Sequence, residues 1–369
     1  MQIALIGFSK SGKTTVFNAL TGANAETSAF ASGKAKTHRA TVQVPDPRLD
    51  QLCALFESKK LVHAVIDYVD PVGIRRDEVG QGTSLGDEML NTIATADALV
   101  AVVRAFEDAS GVASDPVGDF EAIWLELVLS DLTKVENRLG RLAGQMLRAP
   151  VAQRAAMAEE QAVLERLKLA LEAGKPIRAI EMSPEEERTL RSFQFLTTKP
   201  LLVVINGEGT DAAAYDGLIA KLGAFEHAHG EKGEASVHFL ALCGQTEMEI
   251  AQLDPGDRAA FLAEYGIAEP GMARMIRLSY DVLGLISFFT VGPPEAHAWT
   301  LRRGLPVVEA AGVIHSDLQR GFIRAQIVTW QALLEHKTMA EAKKHAKVRL
   351  EGRDYVVQDG DAIEVMFSV

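Results

Sequence analysis

Cysteine is nearly absent from this chain of 369 residues, which contains only Cys53 and Cys243. So small a number excludes a disulfide-stapled scaffold, and the two thiols lie too far apart for the paired spacing of zinc ligands. We interpret both as buried thiols, and we expect the protein in a reducing cytoplasm.

Long hydrophobic runs are also missing. Although 47% of the residues are hydrophobic, no apolar run approaches the roughly 20 residues that a membrane-spanning helix needs. Because the first residues already have the pattern of a β-strand, we expect no signal peptide. We therefore expect no membrane partner.

The sequence lacks a Ser/His/Asp set, a paired-carboxylate spacing and a Cys/His metal cluster, so the corresponding enzyme classes are disfavoured. A formal net charge of −12 argues against a protein that coats nucleic acid. The charge is uneven, because residues 280–369 carry ten Lys and Arg against eleven Asp and Glu. We therefore expect any contact with RNA through the C-terminal third.

What the sequence does contain is a phosphate-binding loop near its beginning. Residues 7–14 read GFSKSGKT, after the apolar run 3–6 and before the helical pattern 15–20. Glycines at both ends let backbone N–H groups converge on phosphate oxygens, so we expect Lys13 to contact the β- and γ-phosphates and Thr14 to bind Mg²⁺. The alternative is a Gly/Ser turn without a ligand. The predicted nucleotide-binding residues here are Gly7, Phe8, Ser9, Lys10, Ser11, Gly12, Lys13, Thr14 and Thr15.

Short apolar runs alternate with helical patterns, which predicts a doubly wound, mostly parallel α/β sheet. The further predicted strands are 42–44, 62–69, 98–103, 201–205 and 237–242. Ligands of such a sheet bind at the carboxyl ends of its strands. The glycine loop, the segment 70–73 and Asn206 are all expected at that edge.

An insertion with a helical period separates two of these strands. Its apolar residues are spaced alternately three and four apart, which is typical of a coiled-coil seam: Leu125, Val128, Leu132, Val135, Leu139, Leu142 and Met146. A second helix after Pro150 continues with Met157, Leu164, Leu167 and Leu171, while Glu160 interrupts it. We predict an antiparallel coiled-coil arm whose polar outer face suits docking on a large partner; the alternative is two ordinary helices of the main domain.

The C-terminal part has a different, α+β pattern. The predicted strands are 286–291, 298–301, 322–330, 355–357 and 362–367, with a turn region at 312–317, a helix near 338–347 and a tight turn at Asp359-Gly360. We therefore predict a P-loop domain in two parts (1–112 and 193–284), a helical insertion (113–192) and a small C-terminal domain (285–369).

Together these motifs resemble the Obg-related P-loop ATPases of the YchF type, also called Obg-like ATPases, over the whole chain. The resemblance is carried by the glycine loop, the coiled-coil insertion and residues 16–21, 44–50, 70–74, 269–271, 298–300, 311–317, 321–325, 351–355 and 359–361. Those of the last domain are similar to a TGS domain, a ubiquitin-like fold. The resemblance implies a cytosolic nucleotide hydrolase that prefers ATP to GTP and associates with the ribosome.

Carried over by position, the resemblance implies that Asp70 holds Mg²⁺ through water and that the Gly73 N–H donates to the γ-phosphate. Thr37 is the candidate switch threonine, with Ser32 as the runner-up. Ile74 occupies the position of a water-orienting glutamine, so hydrolysis needs another group. The predicted catalytic residues are Lys13, Gly73 and Lys10, and the predicted Mg²⁺ ligands are Thr14, Asp70 and Thr37.

Lys10 stands where the family keeps an asparagine that, in related enzymes, helps hold a potassium ion. Its ammonium could replace that ion, or it could face the solvent. The predicted base-binding residues are Asn206, Glu208, Cys243 and Gly244. The family pattern Asn-x-x-Glu is altered, because Glu208 comes one residue early, and we favour ATP over GTP.

Two functions compete at this point. The first is a slow, Mg²⁺-dependent triphosphatase that works as a switch on the ribosome or RNA; the second is a scaffold that binds nucleotide without hydrolysing it. Two histidines have open roles: His38 could reach the phosphates or be a solvated loop residue, and we expect His315 to make a structural hydrogen bond.

Overall fold

The computed structural model describes residues 1–22, 37–74, 85–107, 111, 113–209, 212–230, 237–265, 267 and 269–368. The strands within these ranges are β1 (Gln2–Ile6), β2 (His38–Gln43), β3 (Leu61–Val62), β4 (Val65–Asp70), β5 (Ala98–Ala105), β6 (Leu201–Gly207), β7 (Val237–Leu242), β8 (Leu285–Val291), β9 (Ala296–Arg302), β10 (Phe322–Thr329), β11 (Arg349–Glu351) and β12 (Asp361–Phe367).

The helices within the same ranges are α1 (Lys13–Thr21), α2 (Pro47–Leu55), α3 (Asp87–Thr95), α4 (Pro116–Met146), α5 (Val151–Glu172), α6 (Pro184–Leu190), α7 (Asp216–His229), α8 (Gly244–Gln252), α9 (Pro255–Glu264), α10 (Gly271–Val282), α11 (Val307–Ile314), α12 (Ser316–Arg320), α13 (Trp330–His336) and α14 (Met339–Lys344). Across these described ranges, none of the helices is long and apolar enough to span a bilayer.

The chain forms two compact units. The first comprises Met1–Ala40 and Asp67–Met272, and the second comprises Thr41–Ile66 and Ala273–Val369. This division differs from the predicted boundaries, which assign residues 41–66 to the P-loop domain. It also divides the predicted strand 62–69, which the structure breaks into β3 and β4.

One six-stranded sheet has the order β2-β4-β1-β5-β6-β7. The strand β1 pairs in parallel with β4 on one side and with β5 on the other, and β5–β6 and β6–β7 are also parallel. The strand β6 is buried along its whole length, as expected when helices cover both faces. The predicted doubly wound α/β sheet is confirmed, with a topological switch point at the end of β1.

The helices α4 and α5 form an antiparallel hairpin. Its direction follows from the pairs across it, because Trp124 Nε1 donates to the Gly174 carbonyl at 3.0 Å whereas Arg138 binds Glu160. The buried contact face includes Val128, Val135, Leu142, Leu164, Leu167 and Leu171. Glu160 does not interrupt the packing, because its carboxylate accepts two hydrogen bonds from Arg138, at 2.7 and 2.8 Å.

The predicted place of Leu125 in the buried seam of this hairpin is wrong. Its side chain is 44% exposed, while Ile123, Trp124 and Leu127 are buried in the main hydrophobic core. The first turns of α4 pack on the core of the unit rather than on α5, so the core sets which face is buried there.

A buried carboxylate anchors the base of the hairpin. Asp131 on α4 accepts hydrogen bonds from the Leu196 N–H at 2.8 Å and from the N–H and hydroxyl of Thr197, both at 2.7 Å. Burial raises the pKa of Asp131, and the three hydrogen bonds oppose that rise. The hairpin is therefore tied to the segment that leads into β6.

The other sheet has the order β11-β10-β12-β8-β9-β3 and lies wholly in the second unit. Most of its pairs are antiparallel, with parallel pairs at β12–β8 and β3–β9. The helix α2 belongs to this unit because Arg48 pairs with Asp359 at 2.6 Å and lies 5.3 Å from the centroid of the Phe289 ring. The predicted α+β fold of this part is confirmed.

Two local predictions in this unit were wrong. Residues 355–357 form no strand, and Val356 makes only an isolated bridge to Pro306. The predicted turn region 312–317 is instead the junction of α11 and α12. The predicted hydrogen bond of His315 is present there, since its Nδ1 accepts the Asp317 N–H at 3.2 Å.

Candidate phosphate-binding site

The glycine loop connects β1 to α1, and close approach requires glycine at both of its ends. Gly12 has φ 81°, in the left-handed region, and a Cβ there would overlap the Asn206 amide nitrogen. A Cβ on Gly7 would lie 2.6 Å from the Val102 carbonyl oxygen. The loop is thus held against β5 and the end of β6.

The loop lysine lies beside the carboxylate at the end of β4. The Lys13 ammonium donates to Asp70 Oδ1 and to the Pro71 carbonyl, and the Thr14 hydroxyl donates to Asp70 Oδ2 at 2.9 Å. Lys13 and Asp70 are 6% and 2% exposed. Burial lowers the pKa of Lys13, and the Asp70 charge opposes that shift.

The donor set at this point suits a hard divalent cation. Mg²⁺ takes oxygen ligands and is held by few protein groups, with phosphates and water completing its shell. The Thr14 hydroxyl and the Asp70 carboxylate provide two such oxygens. The start of β2 lies close by, since His38 Nδ1 is 3.7 Å from Asp70 Oδ2. Thr37 directly precedes that histidine, whereas Ser32 lies outside the described residues.

A backbone bridge joins the loop to the segment after β4. The Ile74 N–H donates to the Gly7 carbonyl and the Ser9 N–H donates to the Ile74 carbonyl, both at 2.9 Å. Gly73 is held against this bridge, because a Cβ on it would lie 3.2 Å from the Ser9 nitrogen. The Ile74 side chain is buried in the core that also includes Phe8. A buried apolar side chain of this kind cannot orient a water molecule.

Two loop residues have features that suit an anion. The Ser11 Oγ is buried and has no hydrogen-bond partner among the described residues, which is rare for a buried hydroxyl, and an oxygen of a bound anion would satisfy it. Lys10 has φ 69° and is exposed. A lysine in the left-handed region stores strain of about 1–3 kcal/mol, and such strain clusters at functional sites.

Asn206 connects the two predicted base-binding loops to the phosphate loop. Its Nδ2 donates to the Ser11 carbonyl at 3.0 Å, and its Oδ1 accepts the Gly244 N–H at 2.9 Å. Because a primary amide carries two hydrogens, the second Nδ2 hydrogen would be the one that donates to a base. Cys243 precedes α8, and its sulfur accepts from the Thr246 hydroxyl at 3.3 Å.

The loop after β6 is braced by residues that the sequence patterns did not single out. The Glu208 carboxylate accepts the Glu107 N–H at 3.1 Å. The Tyr215 hydroxyl accepts the Glu208 N–H at 2.7 Å and donates to the Glu208 carbonyl at 2.8 Å. A Cβ on Gly207 would overlap this hydroxyl. No motif spacing links Tyr215 to Glu208, so only the fold shows the brace.

Comparisons with known proteins agree with this architecture. Residues 2–128 match a family described as 50S ribosome-binding GTPase. Residues 285–368 match the YchF-GTPase C-terminal family, which is described as a protein of unknown function (DUF933).

Relatives are similar over the full length. The Ribosome-binding ATPase YchF of Bacillus subtilis is 39% identical, with 100% of both chains covered. The protein of the same name from Escherichia coli O157:H7 is 35% identical, covering 100% of this chain and 99% of its own. Obg-like ATPase 1 of rice is 34% identical, covering 100% of this chain and 92% of its own. The solved structure of the Schizosaccharomyces pombe YchF GTPase has a TM-score of 0.81 at 26% identity, and the match covers 99% of this chain and 97% of that chain.

Proposed function

Because this chain belongs to the YchF family of Obg-like ATPases, we propose that its P-loop hydrolyses ATP and that the cycle controls binding to the ribosome. The observation that carries the proposal is the convergence of Lys13, Thr14 and Asp70 at the end of β1. The names of the relatives, which are ribosome-binding ATPases, support the choice of nucleotide and partner.

Catalysis would be positional and electrostatic. Lys13 is the cation that contacts the β- and γ-phosphate oxygens, and the Gly73 N–H donates to the γ-phosphate. Thr14 and Asp70, with Thr37 from the segment before β2, would hold Mg²⁺, which neutralises phosphate charge when bound. Ile74 takes no part in orienting water, so we expect turnover to be slow.

Lys10 is proposed to supply a fixed positive charge beside the phosphates. A loop ammonium at this position does the electrostatic work of a bound monovalent cation and needs no ion from solution. The left-handed backbone of Lys10 supports the proposal, because the loop keeps a strained residue where glycine or asparagine would be less costly.

The switch would operate through the bridge between the loop and Ile74. The two backbone hydrogen bonds at Gly7 and Ser9 connect the residues around the phosphates to the segment that follows β4. A triphosphate that draws the Ser9 N–H to its own oxygens weakens this bridge, and hydrolysis restores it. The conformation of residues 71–74 would thereby report the nucleotide.

ATP is preferred over GTP in this proposal. Guanine recognition needs a carboxylate that accepts hydrogen bonds from N1 and N2. The position three residues after Asn206, where the family pattern has a glutamate, is occupied by Gly209. The nearby Glu208 carboxylate is engaged by the Glu107 N–H. The remaining Asn206 hydrogen donates to a purine nitrogen and does not discriminate between the bases.

Calorimetric titration of the full chain with ATP and with GTP, each with Mg²⁺, tests nucleotide binding and preference together. We expect ATP to bind more tightly and Thr14→Ala to lose the Mg²⁺ dependence of binding. Tighter binding of GTP would reverse the stated preference. Binding of neither nucleotide at millimolar concentration would overturn the function.

One observation favours the competing scaffold function. The Lys13 ammonium is already satisfied by Asp70 and the Pro71 carbonyl within the protein. A scaffold that holds nucleotide without turnover would tolerate that arrangement. Bound nucleotide with no phosphate release, unchanged by Thr14→Ala, would select this function.

A further inference from the structure

We propose that the tip of the α4–α5 hairpin, residues 141–154, binds the phosphate backbone of ribosomal RNA. This inference rests on the proposed function, since it names the surface and the partner chemistry of the same ribosome association. Residues 137–158 contain four arginines and no Asp, Glu or Lys, in a chain with a net charge of −12. The tip is therefore positively charged although the protein is acidic.

Three of these arginines are presented to the solvent. Arg141, Arg148 and Arg154 are all exposed, while Arg138 is engaged by Glu160 further down the hairpin. The Arg154 Nε donates to the Ala149 carbonyl at 3.0 Å, which holds its guanidinium over the turn and leaves the two outer nitrogens for a partner. Arginine is suited to phosphate because its planar fork donates two parallel hydrogen bonds.

The tip also exposes apolar side chains that the fold does not use. Leu147 is 83% exposed and Val151 is 81% exposed, the highest values among the large hydrophobic residues of the described chain. They flank the turn between the two helices, among the three arginines. Such a mixture fits an RNA surface, where arginines bind phosphates and short apolar side chains contact ribose and base faces.

The hairpin holds this surface rigidly at the end of a long arm. A helix of 31 residues is about 46 Å long at about 1.5 Å per residue. Its buried face and the pairs Arg138–Glu160 and Lys168–Glu136, the latter at 2.8 Å, join the two helices. Asp131 anchors the base. A stiff arm places the tip at a reproducible position. Contacts to phosphates carry no sequence information, so they fix the orientation of the protein on the RNA only when their own position is fixed.

The C-terminal third is the other surface considered for RNA, and its charge is less favourable. Residues 280–369 carry nearly equal numbers of acidic and basic residues, whereas the tip carries basic residues alone. Because phosphate contact depends on local positive charge, the tip is the stronger candidate. An acidic protein would be a different class of partner, and the experiment separates it from RNA.

The test compares the triple variant Arg141→Ala/Arg148→Ala/Arg154→Ala with a matched control, Lys175→Ala/Arg188→Ala/Arg191→Ala. The control removes the same charge from exposed positions of the same insertion outside the tip. The affinity of each full-length protein is measured for purified ribosomes and, separately, for protein-free ribosomal RNA over a range of salt. Circular dichroism melts check that each variant is folded.

We expect the tip variant alone to bind both probes about tenfold or more weakly and to lower the slope of log affinity against log salt by about 2–3. Equal weakening by the control would overturn the inference. Weakened binding to ribosomes with unchanged binding to RNA would also overturn it and identify a ribosomal protein as the partner. Tip-dependent RNA binding without ribosome binding would retain the inference and reject the proposed function, and binding to neither probe would reject both.

Discussion

Glu247 accepts the backbone N–H of Gly271 at 2.7 Å. The same carboxylate accepts the Met272 N–H at 3.2 Å, so it satisfies two of the donors at the start of α10. Glu247 lies on α8, three residues after Gly244, which is a predicted base-binding residue, and Met272 is the last residue of the first unit. A Cβ on Gly271 would lie 2.8 Å from the Glu247 carboxylate, which explains the glycine.

This cap predicts that Glu247→Gln destabilises the protein. The amide keeps one acceptor oxygen and turns a donor toward the other backbone N–H, so a buried hydrogen bond is lost at a cost of about 1–3 kcal/mol. Urea unfolding should show the loss as a lower midpoint concentration. The control is Glu249→Gln on the same helix, where the side chain is exposed. Equal midpoints for the two variants would contradict the role of Glu247.

Ile74→Gln should not accelerate hydrolysis, although it restores the residue type that related GTPases use at this position. The Ile74 side chain is 2% exposed, and burial of an unpaired amide costs about 1–3 kcal/mol. We therefore expect a lower melting temperature and no gain in phosphate release. Val72→Gln is the control, since Val72 is 40% exposed in the same segment. Faster turnover of Ile74→Gln would show that the side chain reaches the phosphates.

Lys10→Asn should make hydrolysis dependent on potassium. If the Lys10 ammonium is the fixed charge, the wild-type rate is the same in potassium and in sodium, and the variant is slower in sodium. Asparagine tolerates the left-handed conformation, so the backbone of the loop is kept. Lys337→Asn is a matched control, because Lys337 is exposed with φ 63°. A potassium-dependent wild-type rate would reject the proposal.

Alkaline stability of the second unit should depend on Tyr355. Burial, together with donation to Asp361 at 2.8 Å, raises the pKa of Tyr355 to about 12. Between pH of about 10 and about 12 the folded phenol keeps its proton while the unfolded one loses it, so the stability contributed by this group falls as pH rises. Tyr355→Phe should flatten that part of the pH–stability curve. Tyr265→Phe, at a 54% exposed position, should leave it unchanged.

Sequence reasoning was strongest where a local pattern determines the outcome. The alternation of apolar strands with helices predicted the parallel sheet, and the strand predicted at residues 237–242 coincides with β7. The glycine spacing predicted the loop between β1 and α1. The structure explains why the spacing is informative, since the close approach of Gly12 to Asn206 leaves no room for a side chain. These features depend on residues near each other in sequence or on one general rule of α/β topology.

It was weakest where distant segments compete for the same chain. Leu125 fits the heptad seam, yet the core recruits its neighbours Ile123 and Trp124 and leaves it exposed. Residues 41–66 were assigned to the P-loop domain, whereas they group with the second unit, in which Arg48 binds Asp359. No short-range pattern encodes such contacts, and the cap of Glu247 on Gly271 was missed for the same reason.

Hydrolysis at the P-loop underlies the proposed function, and its sharpest test is phosphate release from ATP by the purified protein. We predict Mg²⁺-dependent release by the wild type and a reduction of about a hundredfold or more in Lys13→Ala. Thr14→Ala, which retains the Lys13–Asp70 pair, should be impaired without loss of fold. Absence of release from the wild type, or equal rates in all three proteins, would show that the P-loop does not hydrolyse ATP.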